Sequence, residues 1–153
     1  MIDDERRHGL AATPVSAFTD ADLAALRSRR ERLLGQPGFF GDIGTIDGKL
    51  RLIDLMLKDA QAVRDDMFLL ESLGVLLGDA VGEQKGMSWY MLETSAGRVP
   101  CIGLPGLPVK IPPIAILGDA IMEGQTIKAR DMFDDLCRTI DDWSAEIKAA
   151  GSA

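Results

Sequence analysis

The chain has 153 residues, a formal net charge of −7, and 46% hydrophobic and 27% charged residues. That length buries enough apolar surface to fold as one domain without disulfides or a metal. The acidic balance argues against nucleic acid and against an anionic membrane surface, both of which call for a basic footprint. No uninterrupted apolar run approaches the ~20 residues of a membrane span. The acidic start, Met1-Ile2-Asp3-Asp4-Glu5, is unlike a signal peptide, so the expectation is a cytoplasmic, bacterial-like protein.

Residues 1–18 lack periodicity and read as a flexible tail, with a single domain over 19–150. Thr19 with Asp22 three positions on forms a capping box, and a helix follows to about Leu34, stopped by Gly35. Residues 35–44 are a glycine-rich loop. It carries Phe39 and Phe40, which either fold back onto the core or form an exposed, partner-binding patch. Thr45 caps a helix whose Ile46, Leu50, Ile53 and Leu57 keep one apolar face.

The next helix, from about Asp66 to Lys85 and ended by Gly86, is the most hydrophobic of the chain. Gly74, Gly78 and Gly82 stand four apart on one of its faces. Each costs about 1 kcal/mol relative to alanine in a helix interior. The compensation is a surface without side chains, on which another backbone lies close. Glu71, Asp79 and Glu83 interrupt the run, which excludes a membrane dimerisation helix.

Beyond Gly86 the period changes. Ser88 to Thr94, led by Trp89, reads as a strand. Ser95-Ala96-Gly97 turns it, with Gly97 in a left-handed position, and Arg98 to Ile102 returns as the second strand. Pro100 cannot donate to a ladder, so a free edge or a bulge is expected there. Leu107 to Ile111 supplies a third strand. Pro112 and Pro113 end it and open a short helix that stops at Gly124. In the last helix Phe133, Leu136, Ile140, Trp143 and Ile147 step by three and four. Its outer face carries Asp131, Asp134, Asp135, Asp141, Asp142 and Glu146. The fold class expected is α+β: N-terminal helices and the glycine-faced helix packed on a small antiparallel sheet of about three strands, then C-terminal helices.

The run from Leu70 to Leu136 resembles the bacterial domain of unknown function numbered 3806. The resemblance lies in Leu73-Gly74-Val75-Leu76-Leu77-Gly78-Asp79, in Trp89 opening a strand, and in Glu93 near the Gly97-Arg98 turn. It continues through Ile111-Pro112 before a helix, then Gly124 and Met132-Phe133-Asp134-Asp135-Leu136. It implies a helix–hairpin–strand–helix core and no chemistry.

The residues offer no catalytic set. The one histidine, His8, lies in the expected tail. Cys101 and Cys137 have no metal or CxxC spacing and are expected as buried thiols. Gly44-Thr45-Ile46-Asp47-Gly48-Lys49 falls one residue short of a phosphate loop and puts Leu50 where Ser or Thr would hold magnesium. No metal and no cofactor are expected. Asp79, on an apolar helix, is read as structural and partnered by a neighbouring element such as Arg98. The function expected is a non-enzymatic protein-binding module, most concretely an immunity-type protein that binds and neutralises a basic bacterial toxin. Its partner surface is expected at Asp131, Asp134, Asp135, Asp141 and Asp142 of the last helix and at Phe39 and Phe40. The chain alone would be a monomer or weak dimer. The alternative is a small-ligand-binding or hydrolytic enzyme with a carboxylate-based site near Asp79 and Glu93, where the glycine face leaves room.

Overall fold

The computed structural model describes residues 2–151, and among them seven helices surround a four-stranded sheet. In chain order these are α1 (Asp4–Ala12), β1 (Val15–Ser16), α2 (Asp20–Arg32), α3 (Ile46–Leu57), α4 (Ala60–Arg64) and α5 (Met67–Lys85). Then follow β2 (Ser88–Thr94), β3 (Gly97–Gly103), β4 (Lys110–Ile111), α6 (Pro113–Met122) and α7 (Ala129–Gly151). The strands lie in the order β1-β2-β3-β4 and are all antiparallel. The fold is α+β, with one strand more than the sequence suggests.

Local signals set most helix ends. The Thr19 hydroxyl accepts the Asp22 N–H at 3.1 Å while the Asp22 carboxylate accepts the Thr19 N–H at 2.8 Å, which closes the capping box of α2. Thr45 caps α3 by accepting the Gly48 N–H, and Asp66 caps α5 by accepting the Leu69 N–H. Gly86, at φ +67°, ends α5 in the left-handed conformation. Pro113 opens α6 at its first position, where its missing N–H costs nothing.

Helix α5 is the axis of the molecule. Its residues from Ser72 to Gly78 are all buried, and α2, α3, α6 and α7 pack around it. A methyl on Gly74 would stand 2.6 Å from the Cα of Ile114, and one on Gly78 2.5 Å from the Trp89 ring and 2.7 Å from Pro113. The glycine face is therefore filled by the start of α6 and by the indole of β2. The room the sequence suggested there for a ligand does not exist.

The N-terminal segment departs from the expected tail. Asp3 caps α1, β1 pairs Val15 with Leu92 and Ser16 with Met91, and Ile2 is buried. The anchor is remote in sequence. Lys110 on β4, itself buried, donates to the carbonyls of Ala11 and Thr13, where α1 ends and its unpaired carbonyls attract a cation. The third strand is also shorter than expected, because only Lys110 and Ile111 pair with β3. That leaves the outer side of β3 without a strand partner at Pro100, where the sequence called for a free edge or a bulge.

Candidate functional site

Three helices and the hairpin enclose a cleft of about 530 Å³. Helix α2 presents Asp22, Ala25, Leu26 and Arg29, spaced by three and four along one face. Helix α5 adds Met67, Leu70, Glu71 and Val75, and α6 adds Ile114, Ala115, Gly118, Asp119 and Met122. Phe18 and Met91, Arg98, Val99 and Pro100 of the hairpin complete the lining. The cavity exists because Ala25, Ala115 and Gly118 are small where the helices face it. A methyl on Gly118 would meet only Leu70, at 3.8 Å. Met67 and Met122 stand on the rim with 58% and 57% of their surface exposed.

Charged side chains rim this apolar hollow. Arg98 donates to Asp22 at 2.9 and 3.1 Å and to Glu93 at 3.2 Å, and Glu93 in turn accepts from the Ser16 hydroxyl. This network joins β1, α2, β2 and β3. It holds the Asp22 carboxyl below its ordinary range, through the Thr19 N–H first and Arg98 next. Glu93 is also held below its range, by Ser16 and then Arg98. Across the cleft, Arg29 donates to Glu71 at 2.8 Å and covers the Phe68 ring at 5.3 Å. Asp119 is exposed, and among the described residues its carboxylate has no hydrogen bond or ion pair.

Apart from Glu93 in the rim network, the site residues singled out in the sequence lie elsewhere. Asp79 pairs with Arg30 through two hydrogen bonds of 2.7 Å and accepts the Trp89 indole N–H at 3.0 Å; its partner is not Arg98. Asp79 and Glu93 thus belong to separate networks and do not converge on one site. Asp131, Asp134, Asp141 and Asp142 are exposed on α7 and Asp135 is half-buried. Asp141 is bound to Lys85 at 2.9 Å and Asp135 to Arg138 at 2.8 Å. The two loop aromatics part company. Phe39 folds over Gly41 against the core, while Phe40 is 95% exposed. Gly97 turns the hairpin at φ +123°.

The stretch from Gly44 to Lys49 is the capped start of α3, and the Asp42 carbonyl crosses so near Gly48 that a methyl there would lie 1.7 Å away. The element directly before it is the helix α2 and not a strand, so it is not built as a phosphate loop. Cys101 and Cys137 are buried free thiols. Burial pushes the Cys101 thiol up to about 11, and it raises Cys137 too. Among the described residues, no cluster of three or more His, Cys, Asp or Glu side chains is placed to hold a metal ion. No helix among them is long and apolar enough to cross a membrane.

The cleft escaped the sequence reading because its lining comes from four elements, and small residues inside helices carry no signature. One signal was present. Helix α6 is apolar around most of its circumference, and a helix of that kind has more than one face to cover. One face packs on α5, and another lines the cleft.

These features define an α+β domain wrapped around one central helix, with an apolar, ion-pair-rimmed cleft on its flank. The chain belongs to the family described as Domain of unknown function (DUF3806), whose model matches residues 49–133. The match takes in the α5, hairpin and α6 walls of the cleft and leaves out the α2 wall and Phe18. A crystal structure from Bacteroides thetaiotaomicron superimposes with a TM-score of 0.69 at 14% identity, over 81% of this chain and 47% of that one. This chain therefore spans about half that protein's length, and at such identity the likeness speaks to the fold alone. No curated protein matches the chain.

Proposed function

We propose that this chain is a non-enzymatic, cytoplasmic bacterial protein-binding module that seats its partner in the cleft between α2, α5, α6 and the hairpin. The observation that carries this reading is the apolar hollow with Met67 and Met122 exposed on its rim. Large apolar side chains gathered around a concavity mark interaction surfaces, and methionine adapts to varied partners. The most concrete form is an immunity-type protein that neutralises a basic toxin. The net charge of −7 and the exposed Asp131, Asp134 and Asp142 favour a basic partner by steering its approach.

Capture from the bacterial host with the wild-type chain and with Gly118→Leu, which fills the cleft, tests this. One stoichiometric protein retained by the wild type and lost with the variant is the expected result. Finding no such protein, or equal retention by both chains, would overturn the reading. A small apolar ligand is the second reading, favoured by the cleft volume, which falls within the usual ~300–1,000 Å³ of ligand sites. A fragment that raises the melting temperature of the wild type and not of Gly118→Leu would support it.

A further inference from the structure

We infer that the segment docking in this cleft is an amphipathic helix whose apolar face is flanked by a lysine or arginine that pairs with Asp119. This rests on the docking reading above and adds the chemistry of the partner. Five ionisable side chains line the cleft: Asp22, Arg29, Glu71, Arg98 and Asp119. Four are committed. Arg98 holds Asp22 and Glu93, and Arg29 holds Glu71. Asp119 alone is uncompensated, on the same face of α6 as the exposed Met122. An incoming anion would meet a bare carboxylate and two guanidiniums already in use. An incoming cation gains a partner and breaks none.

The backbone argues for a helix over a strand. Buried peptide groups must be hydrogen-bonded, and the stretch of β3 that lines the cleft, Arg98 to Pro100, is paired to β2 on one side and open on the other, where Pro100 has no N–H to donate. The open edge of β3 therefore offers an extended segment only an interrupted ladder. A helix brings its own hydrogen bonds and offers apolar side chains at three-four spacing, matching the spacing along α2, α5 and α6. The space left by Ala25, Ala115 and Gly118 takes bulky side chains.

The test uses the whole chain labelled with ¹³C at the methionine methyls, which reports on Met67, Met91 and Met122 directly. The probes are a synthetic helical peptide with a leucine stripe flanked by lysine, the same peptide with glutamate for lysine, a scrambled version of the lysine peptide, and decylamine. The lysine peptide should shift the three methyls and bind at least about three-fold tighter than the glutamate peptide. Asp119→Asn should erase that preference, and Asp119→Lys should reverse it. Equal binding of the lysine and glutamate peptides with the methyls shifted would overturn the Asp119 pairing and leave the docking reading standing. Equal binding of the scrambled peptide would overturn the helix. Decylamine shifting the methyls where no peptide does would put a small ligand in the cleft and overturn the helix. If no probe moves the methyls, both the inference and the docking reading fall.

Discussion

Gly78 lies beneath the indole of Trp89, so near that an added methyl would sit 2.5 Å from the ring. The ring cannot swing away freely, because its N–H is held by Asp79. Gly78→Ala should therefore destabilise the fold, although alanine is the better helix former by about 1 kcal/mol. Overpacking of a full core costs about 1–3 kcal/mol, and that term should win. Gly74→Ala meets the Ile114 backbone and should lose at least as much. Gly48→Ala would drive its methyl into the Asp42 carbonyl and should cost about 3 kcal/mol or more. Gly118→Ala, with only an ordinary contact to Leu70, should gain up to about 1 kcal/mol. Urea unfolding of the four variants ranks them, and an unchanged midpoint for Gly74→Ala would refute the close-packing argument.

Asp79 should matter through its three hydrogen bonds. Its side chain is only 15% exposed, so Asp79→Ala leaves the Trp89 N–H without its acceptor. Hydrogen bonds to charged groups contribute about 1.5–3 kcal/mol, and the loss should fall in or just below that range because Arg30 stays near water. Trp89→Phe, which removes the donor and keeps the ring, should cost less. A double-mutant cycle with Arg30→Ala separates the ion pair from the indole bond, and additive losses would show that the pair contributes nothing.

Acid should weaken the network at the cleft rim in a defined direction. Asp22 and Glu93 are held below their ordinary values of 3.8 and 4.5 in the folded chain. The unfolded chain therefore takes up their protons first as the pH falls. Their contribution is complete above those ordinary values and is lost as the pH drops through the lower, folded ones. Carboxyl ¹³C titration should place both midpoints below 3.8 and 4.5, respectively, and Arg98→Met should move both upward. Midpoints unmoved by Arg98→Met would show that this guanidinium does not set them.

Neither cysteine should react in the folded protein. Burial lifts the Cys101 thiol to about 11, with Lys110 opposing in part, and Cys137 is raised by the same cause. At pH 8 Cys101 lacks the thiolate that attacks disulfide reagents, and its buried position shields Cys137 from them. Ellman's reagent should leave the native chain unlabelled and label both thiols in urea. Rapid labelling without denaturant would contradict the buried positions.

What the sequence revealed was local. Thr19 and Thr45 before their helices, Gly86 after one, and the Ser95–Gly97 turn each act within a few residues of themselves, so their roles could be read from neighbours alone. The glycine face also declared itself, because a cost repeated at fixed spacing implies a close neighbour. What stayed hidden depends on distance along the chain. Helix α1 is held by Lys110, almost a hundred residues away, and its own weak apolar pattern gave no sign of that. Asp79 chose Arg30 on α2, 49 residues before it in the chain. The cleft needed Ala25, Ala115 and Gly118 to come together, and each is unremarked in its own helix.

Three thioethers line the cleft, and two of them face water. Met67 and Met122 are open to peroxide, while Met91 is buried on the sheet. Conversion to the sulfoxide would set a strong dipole where the wall is now greasy, without touching the packed core. On the docking reading proposed above, affinity for a partner would then fall as the oxidant level rises, with fold and melting behaviour unchanged. Reduction by a methionine sulfoxide reductase would restore it, making the hollow a surface whose grip can be switched off and on chemically.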